Sequence, residues 1–174
     1  PTKRRWADYA FSELENAGYT VTSAYTAVKD PEATKFVYRD RLWTGADMGS
    51  LGVASFGHLG GIHYQNLVHI DDYIKKIEEG GAPVRRALLT TEEERFLREL
   101  ILQFKLGRVN LGYFRDKFGE KVEERFSEIL ADLEQLGDLS REGDELVLTR
   151  EALLRVDSIL HRFFLPKHRD ARYV

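Results

Sequence analysis

The sequence predicts an α+β chain, an N-terminal helix and strands followed by a helical, winged-helix-like domain. Three observations predict it. Helical periodicity at both ends encloses a stretch of alternating, β-branched and aromatic residues. Six glycines (Gly45, Gly49, Gly52, Gly57, Gly60 and Gly61) crowd into residues 42–66. After Gly80-Gly81-Ala82-Pro83 the pattern changes from strands to helices, so domains are expected at 1–82 and 83–174.

Residues 4–17 read as a helix, because Trp6, Tyr9, Ala10, Leu14 and Ala17 share one face and Gly18 suits the position after a helix end. Thr, Val and Tyr in 19–28 predict a strand, broken by Asp30-Pro31. Alternation predicts a second strand over 35–43, with Phe36, Tyr38 and Leu42 on one side and Lys35, Arg39 and Arg41 on the other. Two readings of those cations stand: a solvated strand face, or a grip on carboxylate or phosphate, for which the arginine fork is suited.

The glycine-rich stretch predicts one more strand over 50–56 with turns around it. It too has two readings, a strand with bulges and turns or a wall on which a flat or phosphate-sized ligand rests. Asp71 or Asp72 is expected to cap a short helix with Ile70, Tyr73, Ile74 and Ile77 inward. Thr90-Thr91-Glu92-Glu93-Glu94 is a helix start in which each threonine has a glutamate three residues on. Phe96, Leu97, Leu100, Ile101 and Phe104 form its buried stripe, and Gly107 closes it. Asn110 caps a short helix with Leu111, Phe114 and Phe118. A longer helix is expected over 121–136, a hairpin over 139–148, and a last helix capped by Thr149 and ended by Pro166. The basic tail 167–174 is expected to be loose.

Composition narrows the function. Net charge is −3 over 174 residues, which gives no general case for nucleic acid or an anionic membrane. No apolar run approaches a membrane span, and no signal-peptide pattern is visible. Cysteine is absent, so the chain supplies no disulfide, thiolate zinc site, cysteine nucleophile or cysteine-ligated iron–sulfur cluster. It starts Pro1-Thr2-Lys3-Arg4-Arg5 and its only methionine is Met48, so a piece of something longer is expected.

A winged helix often binds DNA. Here the helix before the hairpin carries Glu123, Glu124, Glu128, Asp132 and Glu134 against Lys121 and Arg125, and phosphates would repel it. His58, His63 and His69 make no helical i, i+4 pair and no HExxH, so no metal site is predicted. His58 reads either as a half-buried turn histidine or as a hydrogen-bonding group at a pocket. GxGxxG, GxxxxGK[ST] and GxSxG are all absent.

Several stretches together resemble the C-terminal part of the oxygen-independent coproporphyrinogen III oxidase family, the radical SAM enzymes of haem metabolism. They are Ala17-Gly18-Tyr19, Leu42-Trp43-Thr44-Gly45-Ala46-Asp47, Leu51-Gly52-Val53-Ala54-Ser55 and Tyr64-Gln65-Asn66, in that order. The Thr-x-Glu-Glu start, residues 133–137 and Leu146-Val147-Leu148-Thr149 also match. Ser55-Phe56-Gly57-His58 with Gly60-Gly61-Ile62-His63 resembles the haem-utilisation branch. The resemblance implies the end of a partial TIM-like barrel followed by the winged-helix-like domain. It implies S-adenosylmethionine and a [4Fe–4S] cluster for the full-length protein, with none bound by this fragment, which should be inactive alone. Gly52, Ser55, Phe56, Gly57, His58 and Gln65 would then face substrate or cofactor, and Arg39 and Arg41 are candidates to meet propionates. The partners expected are the missing N-terminal barrel and a tetrapyrrole substrate in the cytoplasm, with self-association of the fragment.

Overall fold

The structure is a computed structural model and describes residues 2–169. In chain order it begins with α1 (Thr2–Asn16), β1 (Thr20–Ser23), β2 (Thr26–Val28), α2 (Val37–Trp43), β3 (Phe56–Leu59), β4 (Ile62–Asn66), α3 (Ile70–Glu78) and β5 (Val84–Leu89). It continues with α4 (Glu92–Phe104), β6 (Arg108–Asn110), α5 (Leu111–Phe118), α6 (Val122–Arg125) and α7 (Ser127–Gln135). Then come β7 (Leu139–Glu142), β8 (Glu145–Leu148), α8 (Arg150–Leu154), α9 (Val156–Leu160), a 3₁₀ turn (His161–Phe163) and α10 (Pro166–Arg169). Two compact units result. One is built from the described residues of Pro1–Val37 and Phe96–Val174, the other from Tyr38–Arg95.

In the first unit the core gathers on α4. This helix starts at the expected reciprocal cap, with the Thr91 hydroxyl accepting from the Glu94 N–H at 3.1 Å and the Glu94 carboxylate accepting from the Thr91 N–H at 2.8 Å. Phe96, Leu100 and Phe104 recur at helical spacing and are buried. Phe96 meets Phe114 edge-on at 5.3 Å, and Phe104 meets Phe163 at 5.0 Å. Burial of each such ring contributes roughly 1.5–3 kcal/mol. The antiparallel sheet β6-β8-β7 closes the core with Val109, Leu139, Leu146 and Leu148. Asn110 caps α5 through Tyr113 N–H at 2.9 Å and Thr149 caps α8 through Ala152 N–H at 3.4 Å, both as expected.

Two long helices of the sequence reading are broken. The helix over 121–136 is α6 and α7, parted at Phe126 (φ −117°, ψ 27°), whose ring turns onto Phe163 at 5.1 Å. The last helix is parted at Arg155 (φ −122°, ψ 19°), whose guanidinium pairs with the buried Asp138 carboxylate. In both places one tertiary partner outweighs helical continuity. Of the expected loose tail, residues 167–169 lie in the α10 turn and the rest lie outside the described residues.

The N-terminal segment folds onto this unit. Arg150 pairs with Glu15 at 2.8 Å, Arg4 donates to the Ser158 hydroxyl at 2.7 Å, and Ala24 N–H donates to the Lys105 carbonyl at 2.9 Å. Residues 19–28 form the hairpin β1–β2 rather than one strand, with a turn at 24–25 and a register shift between Val21 and Ser23. Trp6 and Tyr9 on α1 stay 72% and 66% exposed.

The second unit is the antiparallel sheet β3-β4-β5 with α2, α3 and a long loop. Residues 37–43, expected as strand, are helix. Arg39 sits one turn before Trp43 and lies over its ring at 5.5 Å. The chain then closes the helix with Gly45 at φ +85° and an Ala46 N–H to Arg41 carbonyl bond of 2.9 Å. The strand expected over 50–56 starts only at Phe56, because Gly52 (φ +89°) and Ala54 (φ +57°) turn the backbone out of the β region. His69, not Asp71 or Asp72, stands at the N-cap of α3, with no side-chain cap bond. Ile70, Ile74 and Ile77 on that helix are exposed rather than inward. Strand β5, absent from the sequence reading, pairs along β4 and continues the sheet past Pro83.

Candidate functional site

Pairing register builds the site. Gly60 and Gly61, both at positive φ, make the two-residue turn between β3 and β4. The Asp47 carboxylate accepts from the Gly60 N–H at 2.9 Å and anchors that turn. Across the sheet, Phe56 lies opposite Gln65 and Gln65 opposite Arg86. In the next row of the same face, His58 lies opposite His63 and His63 opposite Leu88. Six positions thus share one face, and none is acidic. Phe56 and His63 stack diagonally, with centroids 5.7 Å apart and planes 11° apart, and His58 lies 6.1 Å from His63.

At the floor of this face the polar groups are buried. His58 is 4% and Gln65 6% exposed. Gln65 donates through Nε2 to the Ala54 carbonyl at 3.1 Å and accepts through Oε1 from Arg86 Nε at 2.9 Å. Ala54 holds its left-handed conformation without being glycine, a local strain of about 1 kcal/mol or more. The opposite face carries Gly57 and Tyr64. The Tyr64 ring lies over Gly57, and its hydroxyl accepts from the Ser50 N–H at 3.0 Å. Ser50, by its side chain and its N–H, holds that hydroxyl below the ordinary phenol value. Asn66 Nδ2 donates to the Gly52 carbonyl at 3.0 Å, and Gly52 N–H donates to the Tyr73 hydroxyl at 3.0 Å.

Of the residues singled out from the sequence, the structure therefore brings Phe56, His58 and Gln65 to one face. Gly57 belongs to the other. Ser55 and Gly52 sit in the loop that enters β3, the Ser55 hydroxyl donating to the Leu51 carbonyl at 2.7 Å. Arg39 and Arg41 are two apart on α2 and so diverge. Arg39 pairs with Asp40 at 2.7 Å, and Arg41 is exposed. The sequence reading missed Arg86. Its segment, Val-Arg-Arg-Ala-Leu-Leu, lacks alternation, and only the six-residue gap between Pro83 and Thr90 hinted at a strand. Among the described residues no group of histidine and carboxylate side chains is arranged to hold a metal ion.

No protein-family model matches the chain. Over 122 residues, 70% of its length, the chain is 26% identical to the heme chaperone HemW of Bacillus subtilis, of which the match takes in 32%. It is 26% identical over 136 residues to the oxygen-independent coproporphyrinogen III oxidase of Pseudomonas aeruginosa, taking in 73% of this chain and 29% of that protein. The chain thus spans about a third of the length of the curated relatives it matches. The fold superposes on the coproporphyrinogen III oxidase HemN of Escherichia coli, described as a radical SAM enzyme, with a TM-score of 0.71 at 16% identity, over 89% of this chain and 39% of that one. In sequence and in fold the chain is related to the oxygen-independent coproporphyrinogen III oxidase-like proteins and fits the C-terminal part of such a protein.

Proposed function

We propose that the chain is the C-terminal part of a radical SAM protein that acts on a porphyrin- or haem-type substrate in the cytoplasm, and that the Phe56–His58–Gln65 sheet face is one wall of its ligand cavity. The observation that carries this reading is the face itself. An aromatic stack and buried polar side chains line it, and a strained loop abuts it, in a chain whose relatives handle such ligands by name. The strand region and α1 would close the end of a partial TIM-like barrel. The order α4, β6, α5, α6–α7, β7, β8 supports a winged-helix-like domain that covers the barrel mouth and excludes water from a reactive intermediate.

This chain's residues do not fit a [4Fe–4S] cluster, because it has no cysteine. Cluster and S-adenosylmethionine chemistry would belong to a preceding barrel, and the polypeptide by itself would be inactive. The parent gene tests this. A Cys-x3-Cys-x2-Cys loop upstream, and S-adenosylmethionine-dependent turnover of coproporphyrinogen III or haem by the anaerobic full-length protein, support it. A native start codon near Pro1 overturns it.

A second reading, a non-enzymatic haem- or tetrapyrrole-binding module, is favoured by the match to a heme chaperone. Tight stoichiometric binding of haemin by the isolated chain would support it, and no binding would return the choice to the first reading. DNA binding ranks last, since α7 carries Glu128, Asp132 and Glu134 and no lysine or arginine of its own.

A further inference from the structure

The sequence offers Arg39 and Arg41 as candidates to meet a ligand's acidic group. Arg39 is engaged by Asp40 and stacked on Trp43. Arg86 lies in the same cross-strand row as Phe56, with Gln65 between them. We propose that Arg86, oriented by Gln65 beside the Phe56–His63 stack, pairs with a carboxylate on the rim of a flat ligand lying on this sheet face. The inference rests on the ligand-wall reading above and assigns the acidic group that the wall selects.

Three features argue for it. First, the guanidinium is oriented in advance. Gln65 is buried, its amide N–H is spent on the Ala54 carbonyl, and its amide oxygen therefore faces Arg86 Nε. An arginine held by Nε turns its terminal nitrogens in a fixed direction, and the ordering cost of binding falls. Second, the reach is right. Adjacent strands lie about 4.8 Å apart, so Phe56 and Arg86 are separated by roughly 10 Å across the row. A planar ligand on the rings would bring a flexible rim carboxylate to Arg86. Third, the charge is complementary. The six side chains of the face are Phe56, His58, His63, Gln65, Arg86 and Leu88, with a cation and no carboxylate among them. Arg86 stands on the outer strand and is exposed, so pairing does not carry the full desolvation cost of a buried ion.

The test compares protoporphyrin IX with its dimethyl ester, in mild detergent, on the full-length protein that carries this chain. Arg86→Gln should weaken the diacid about tenfold and leave the ester unchanged. Arg86→Lys should fall between, since charge remains but the fork is lost. Gln65→Leu, at a positioning residue, should lower the acid-to-ester preference without abolishing ester binding. If the wild type binds both and Arg86→Gln shifts both equally, or neither, the assignment of Arg86 is overturned while the ligand wall stands. If the wild type binds neither porphyrin, the wall itself falls and the assignment with it.

Discussion

At Gly57 a Cβ would stand 2.3 Å from Cζ and 2.5 Å from the hydroxyl oxygen of Tyr64. No side chain fits there while Tyr64 keeps its bond to Ser50. Gly57→Ala should therefore destabilise the sheet unit by about 1–3 kcal/mol, read by chemical denaturation. Tyr64→Ala should absorb much of that cost in a double-mutant cycle. A second residue with a measurable signature is Tyr113. Burial first, then its hydrogen bond to the buried Glu99 carboxylate, raises its hydroxyl well above the ordinary value of 10.0. A raised folded-state value means the neutral phenol stabilises the fold below about pH 10, and that stability is lost as pH rises further. Lys105, raised by Tyr25 and Asp157 against the effect of its own burial, acts in the same direction. Unfolding midpoints should not fall on account of these two groups between pH 8 and about 10 and should fall above that, and Tyr113→Phe should flatten the fall. The glycines of this region are plain in the sequence and their reasons are not, because Tyr64 above Gly57 is a cross-strand relation that only register creates.

Among the elements, α4 was the most legible, since its cap and its buried stripe are both local. Thr91→Ala removes the cap and should cost about 1 kcal/mol, seen as a lower denaturation midpoint. Helix α2 reads as a strand in the sequence because Phe36, Tyr38 and Leu42 fall on one side and Lys35, Arg39 and Arg41 on the other over only a few positions. The Arg39–Trp43 pair and the Gly45 closure decide the matter, and both operate at helical spacing. Helix α3 shows the reverse case, correctly located but with its apolar side turned outward. Ile70, Ile74 and Ile77 are 61%, 46% and 50% exposed. Ile74→Lys should leave folding stability within about 0.5 kcal/mol, as at other exposed positions. If α3 takes part in self-association, sedimentation velocity will show that variant to be more monomeric.

For the whole molecule, the mixture of helices and small sheets was legible from periodicity, and so was the relationship to coproporphyrinogen oxidase-like proteins. Tertiary pairings were not. Strand β5 has no alternation of its own and exists because β4 offers it a partner. The same limit hid the way the chain's beginning joins its end. The described part of Pro1–Val37 shares one core with Phe96–Val174, and Tyr38–Arg95 is a separate unit spliced between them. Arg150–Glu15, Arg4–Ser158 and the Ala24–Lys105 backbone bond stitch the two parts together. A protease cut inside the spliced segment should therefore yield two pieces that co-elute under native conditions and separate in urea. Topologically, the segment carrying the β3-β4-β5 sheet is an insertion in a body already fastened at both of its ends, so that segment could be remodelled or exchanged while its scaffold keeps its own integrity.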